Sequence, residues 1–252
     1  MIGCIIQARM GSSRLPGKVM MELKKSKPSL YYVIKQHEFC NQIDKIVVAT
    51  TNLQDDDIIE KYVDELNVEC FRGNPTNVLD RFYHCAKKYS FSTIVRITAD
   101  NPFNDPNLVD NVIQKFNSHD FDYITNSRPR TFPQGISVEV FSFEALEISW
   151  KNARLPSEKE HVTPYIYNNP DKFKIYNYSH HTDISHLRFT IDRKNDYELS
   201  KKIALNIEKL PITLNDILNL FEKDSTLIET NANYDIDEGY KKSLQEDHDF
   251  LS

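Results

Sequence analysis

The chain has 252 residues and a formal net charge of −6, so its field as a whole repels DNA and RNA, and nucleic acid is not an expected partner. An apolar share of 40% and a charged share of 27% are those of an ordinary soluble globular protein with a substantial core, and no apolar run approaches the roughly 18 residues that a membrane span needs. The apolar start is too short, and lacks the leading basic region, for a signal peptide. Cys4, Cys40, Cys70 and Cys85 lie far apart with no C-x-x-C pair, which argues against zinc ligation or a disulfide framework and for a reduced, cytoplasmic setting.

The first half alternates strand and helix. Gly3–Ala8 reads as a buried strand, Lys45–Thr50 as a second, Val68–Phe71 as a third and Thr93–Thr98 as a fourth. Helical patterns fall between them at Leu30–Phe39, Asp56–Leu66 and Val78–Tyr89. In the last, Val78, Leu79, Phe82, Cys85 and Ala86 share one face at 3.6-residue spacing. Such alternation with short connections predicts βαβ units and a mostly parallel, Rossmann-like α/β sheet with helices on both faces. A helix over Asn107–Phe116 and a strand over Asp122–Thr125 come next. The alternating "ISVEVF", residues 136–141, predicts a strand, and helices follow around Phe143–Ala153 and Glu158–Tyr167. Strands are expected around Phe173–Tyr178 and Leu187–Ile191, then a helical stretch over Asp196–Glu222. Residues 1–225 read as one α/β domain with a β-rich insertion at about 126–180, and 226–252 as a polar, weakly periodic tail that packs loosely.

The loop "ARMGSSRLPGKVM" follows the first strand and crowds Arg9, Arg14 and Lys18 into a few residues. It is not a P-loop, because five residues separate Gly11 from Gly17 and Val19 stands where a magnesium-holding hydroxyl belongs. No G-x-G-x-x-G occurs anywhere. In an open parallel sheet, ligands bind at the carboxyl ends of strands, where this loop lies. Gly11, Ser12 and Ser13 can present successive N–H groups as an anion nest, with the three cations supplying charge for phosphate oxygens.

At this point the chain resembles a known family. "IIQARMGSSRLPGK" looks like the opening signature of the CMP-sugar-acid synthetases, the cytidylyltransferases that include CMP-Kdo and CMP-sialate synthetases. "VVATTN", "FRGNPTNVLDRF" and "VRITADNPF" continue the resemblance, and "TFPQGISVEVFSFEAL" with "EKEHVTPYI" resembles the spore-coat polysaccharide type. The similarity covers about residues 1–200. It implies a nucleotide-diphospho-sugar transferase type of fold and a Mg2+-dependent transfer of CMP from CTP to a small acidic acceptor, with release of pyrophosphate.

By that resemblance, Arg9, Arg14, Lys18 and Asp100 are the catalytic set, and Arg14 and Lys18 neutralise the departing pyrophosphate. Ala8, Gly11, Ser12, Ser13, Asn74, Thr76 and Asn77 join them around the nucleotide. Thr76 or Asn77 could equally cap the helix that starts near Val78. Asp100 and Asp192 are the expected magnesium ligands, with Asp196 as a rival to Asp192 or as a helix cap. Arg128, Arg130, Gln134, Glu139 and His161 are the candidates for the acceptor, although Ser137 stands where relatives carry aspartate. Arg72 fits a solvent-facing role better than a phosphate contact, and the His180, His181 and His186 group reads as a polar turn rather than a metal cluster. A homodimer through the insertion is expected. Alternatives left open are another nucleotide, a phosphate or phosphonate acceptor, and a catalytically silent nucleotide-binding homologue.

Overall fold

The structure, a computed structural model, describes residues 1–231, 234 and 238–252. β1 (Ile2–Gln7) is followed by a small hairpin of β2 (Glu22–Lys24) and β3 (Lys27–Pro28), then α1 (Ser29–His37), β4 (Lys45–Thr51), α2 (Asp57–Glu65), β5 (Glu69–Gly73), α3 (Val78–Lys88) and β6 (Thr93–Thr98). After them come α4 (Pro106–Asn117), β7 (Tyr123–Thr125), β8 (Glu139–Ser142), α5 (Phe143–Asn152), α6 (Pro156–His161), α7 (Pro164–Tyr167) and β9 (Ile175–Asn177). α8 (Lys194–Asn206), α9 (Leu214–Lys223), α10 (Thr226–Glu229) and α11 (Glu238–Leu251) complete the chain.

Seven strands form one sheet in the order β5-β4-β1-β6-β8-β7-β9. The four strands of the first half are mutually parallel, and β8 runs antiparallel between β6 and β7. The strands of segment 126–180 thus extend the main sheet instead of forming a sheet of their own. Period-two alternation divides the core between two faces. Cys4, Ile6, Val48, Val95 and Ile97 point to one face with α1, α4 and α8. Ile5, Val47, Ala49 and Ile94 point to the other, where the apolar stripe of α3 packs with α5. The spacing within "VLDRFYHCA" therefore identified the buried face of α3 correctly.

Four local expectations change for physical reasons. Leu187–Ile191 is extended but is not a sheet strand, with one isolated bridge from Arg188 to Gln134. Its alternation is real: Leu187, Phe189 and Ile191 are core residues, whereas Arg188 and Asp192 turn to the cleft. The helix expected over Glu158–Tyr167 divides at Val162, which takes φ 71°, and Pro164, with no N–H to continue the first ladder, opens the next helix. The stretch Asp196–Glu222 divides into α8 and α9, and Thr213 caps the second by accepting from Asp216 N. The tail forms α11, whose Ser243 and Asp247 are buried; the tail's residues 232–233 and 235–237 lie outside the described residues.

Gly135 holds the Arg188 segment against the start of the insertion. Its φ is +99°, and a Cβ there would stand 2.3 Å from Thr190 N and 2.6 Å from Phe189 C. Both are backbone atoms that cannot swing aside. Gly135→Ala should lose about 1–3 kcal/mol of stability, read as a lowered urea midpoint with the m-value unchanged.

Candidate active site

β1 and β6 are neighbours whose last residues, Gln7 and Thr98, are in register. From β1 the chain proceeds to β4 on one side, and from β6 it proceeds toward β8 on the other. The crevice between their carboxyl ends is thus the topological switch point of the sheet. The loop leaving β1 is stiffened by its own backbone, since Ser12 N and Gly17 N both donate to Met10 O at 2.9 Å. Met10 N donates to Asp56 Oδ1 at 2.7 Å, and Asp56 in turn accepts a close hydrogen bond from Thr51. Gly17, at φ 71°, turns the chain into a short 3-10 turn over Lys18–Met20, which aims Lys18 into the crevice.

Lys18 is the hub of the site. Its Nζ donates to Asp100 Oδ2 at 2.6 Å and to Asp192 Oδ1 at 2.9 Å. Arg14 Nη2 lies 2.7 Å from the same Asp192 oxygen, and Arg188 Nη2 lies 3.0 Å from the other. Burial opposes the charge on Lys18, but Asp100 and Asp192 outweigh it and hold the ammonium above its ordinary pKa. Burial likewise acts to raise the Asp192 carboxyl, while Lys18 and Arg14 overcome it and hold the group far below the usual carboxylate range. Asp196 has a different task. It accepts from the N–H groups of Asp192 and Arg193 and from Arg188 Nε, capping α8.

Two carboxylates that share one ammonium converge on a single point. Hard oxygen donors of this kind suit Mg2+, which takes one or two carboxylates and completes its shell with water and phosphate. Among the described residues no group of three or more His, Cys, Asp or Glu could form an all-protein metal cage. The two oxygen donors of Asp100 and Asp192 are of the kind a hard divalent cation takes.

Two cavities meet at this point. The larger, about 680 Å3, is lined by Arg9, Ser12, Ser13, Arg14, Lys18, Thr76, Asp100, His161 and Asp192. The smaller, about 250 Å3, is lined by Arg128, Arg130, Gln134, Glu139 and His161. Arg14, Asp100, His161 and Asp192 belong to both walls. Residues 9 to 192 that the sequence singled out thus come together, with exceptions. Ala8 and Gly11 do not line either cavity. Asn74 closes the turn before α3 by accepting from Thr76 and Asn77, and Asn77 caps α3 by accepting from Asp80 N. Neither Asn lines the larger cavity, whereas Thr76 does. Arg72 is a structural clamp on Thr51 O, Leu53 O and Glu60.

Several candidates are tied to neighbours. Arg9 Nη2 donates to Glu160 at 2.7 Å. Gln134 Oε1 accepts from Arg188 Nη1 at 2.7 Å. Glu139 is buried, with Arg96 in close contact and with Tyr123 Oη and Thr163 Oγ1 donating at 2.5 and 2.6 Å. Despite burial, Arg96 and these hydroxyls keep its carboxyl below the ordinary range. Arg96 and Arg188 were missed in the sequence reading. Each is a lone cation inside an apolar strand-like run, "TIVRIT" and "HLRFT", and a buried charge in such a run demands a partner. Tyr240 and the other α11 residues carry no local signal.

A family model described as cytidylyltransferase matches residues 3–230. An uncharacterized protein of Methanocaldococcus jannaschii is 36% identical over 231 residues, which cover 91% of this chain and 93% of that protein. The spore coat polysaccharide biosynthesis protein SpsF of Bacillus subtilis is 35% identical over 229 residues, 87% of this chain and 93% of its own. Among solved structures, a cytidylyltransferase from Leptospira borgpetersenii superposes with a TM-score of 0.87 at 32% identity, covering 93% of this chain and 98% of that one.

The charge cluster carries a pH signature. The Asp192 carboxyl lies below its unfolded value of 3.8, so its stabilisation is complete above that value and is lost as pH falls below it. Glu139 contributes with the same sign. Unfolding free energy should drop on acidification from about pH 4 to pH 2, and Asp192→Asn should flatten the drop in a series of denaturant titrations.

Proposed function

The chain belongs to the cytidylyltransferase family, and from that premise we propose that it transfers CMP from CTP to a small acidic acceptor, a sugar acid or a close chemical relative, and releases pyrophosphate. The observation that carries this reading is the convergence of Arg14, Lys18, Asp100 and Asp192 at the sheet's switch point, on the wall shared by two cavities. The larger cavity takes the nucleotide and the smaller the acceptor, so that an acceptor oxygen faces the α-phosphorus across the shared wall. Polysaccharide biosynthesis, the role in the name of the Bacillus relative, suits such a product.

The chain's own groups account for the chemistry by position and charge. As the acceptor oxygen bonds to the α-phosphorus, the bond to the bridging oxygen breaks and negative charge collects on the leaving pyrophosphate. Lys18 exchanges its carboxylate partners for phosphate oxygen, and Arg14, 30% exposed in its side chain, turns its guanidinium to the same charge. Ser12 and Ser13 contribute donors from the loop, and Arg9 closes the outer end beside Glu160. Asp100 and Asp192, relieved of Lys18, would hold Mg2+, which when bound would neutralise phosphate charge. Arg128 and Arg130 supply fork-shaped donors for the acceptor's acid group, with Gln134 and His161 beside them. Glu139 serves by holding Arg96 in the wall. A homodimer is part of the reading. β9 forms one border of the sheet, and its exposed Tyr176 packs on Phe121 there, a ready surface for a second copy.

Pyrophosphate release should require CTP, a sugar-acid acceptor and Mg2+, and stop on chelation. Lys18→Met and Asp100→Asn should each lower kcat by about 10²–10³-fold while melting as cooperatively as the parent. Turnover that follows UTP or GTP instead would overturn the base assignment, full activity in Asp100→Asn would remove Asp100 from the catalytic set, and binding of CTP without turnover by the parent would favour a silent nucleotide-binding protein. Light scattering at micromolar concentration should give twice the 29.5 kDa chain mass; a monomer mass there rejects the dimer.

A further inference from the structure

The family match ends at residue 230. α11 lies wholly beyond that limit, yet it forms a wall of the larger cavity through Lys242, Ser243, Glu246 and Phe250. Its Tyr240 lines the smaller one. The seat is specific rather than greasy. Asp247, 7% exposed, accepts from Ser157 N in the first turn of α6 at 2.8 Å. Ser243, 6% exposed, meets His161 Nε2 at 3.0 Å. Glu238 takes both carboxylate oxygens to Arg193 Nη2 at 2.8 and 2.9 Å. Sliding α11 along α6 would strand the buried Asp247 and Ser243 without partners, which is costly enough to fix the register.

With the register fixed, Lys242 lines the same cavity as Arg9, Arg14 and Lys18. Its ammonium is loosely held, 3.7 Å from Glu246, with a 75% exposed side chain. Lys18 and Arg14 are engaged by carboxylates, and Arg9 by Glu160. Lys242 is thus a cation in the nucleotide cavity that phosphate can recruit without first breaking a short ion pair.

We propose that α11 is a nucleotide-binding wall added to the family core, and that Lys242 contacts the triphosphate of the bound nucleotide. This rests on the cytidylyltransferase reading, which places CTP in that cavity. Phosphate then meets cations from two sides, and α11 shields the reacting α-phosphate from bulk water.

Hydrogen exchange on the full chain with and without CTP and Mg2+ separates the two ideas. CTP should slow exchange in the loop 8–17 and, by about ten-fold, in 240–250. By titration calorimetry, Lys242→Ala should weaken CTP binding about ten-fold with the melting temperature unchanged, and Lys242→Arg should restore most of it. Protection of 8–17 without protection of 240–250, or unaltered CTP affinity in Lys242→Ala, overturns the role of α11 and leaves the cytidylyltransferase reading standing. Protection of neither segment removes both.

Discussion

The ammonium of Lys18, held between Asp100 and Asp192, is the contact on which the geometry of the cleft depends. Each of the three groups sits on a different piece of chain: the loop after β1, the loop after β6 and the approach to α8. A largely buried charge is tolerated only where opposite charge meets it. The three pieces therefore have to arrive together. The outer ions follow from this constraint. Arg14 and Arg188 balance Asp192, and Asp196 balances Arg188 while capping α8.

The same arrangement would let one cation serve both the state shown and the proposed nucleotide-bound one. Carboxylates alone hold Lys18 in the structure described here, and phosphate is a competitor of equal sign and greater charge. On the proposed reaction, exchange of one anion for the other would leave Lys18 paired throughout, so no buried ion would be abandoned as nucleotide enters. The pair of Glu139 and Arg96 and the pair of Gln134 and Arg188 act one layer further out. They fix side chains that line the smaller cavity, and in the proposed transfer such pairing would keep donors aligned without reorganisation.

Particular residues show how far local pattern reaches. The buried face of α3 was legible because five apolar side chains recur at the helix period. The place of Arg9, Ser12, Ser13, Arg14 and Lys18 in the cleft wall was legible because cations and small residues crowd there after a strand. Leu187–Ile191 was misread as a strand because its alternation reports burial of one edge, and burial does not require a partner strand. Asp192 and Asp196 were indistinguishable by type; hydrogen bonding to the start of α8 separates them. Glu139 was legible as important, but the side chain that occupies it, Arg96, was not named beside it.

The sequence by itself determined the alternation of strands and helices, the two-faced sheet, the chemical character of the first loop and the family to which the chain belongs. These properties reside in windows of a few to some twenty residues, where periodicity and residue type act. Tertiary structure decided the pairing of Lys18 with partners 82 and 174 positions away, the division of the helical stretch Asp196–Glu222 into α8 and α9, and the seating of a polar tail as α11 over the cleft. Such outcomes depend on which distant charge compensates a buried one and which surface a weakly amphipathic helix finds, and neither is encoded in local spacing.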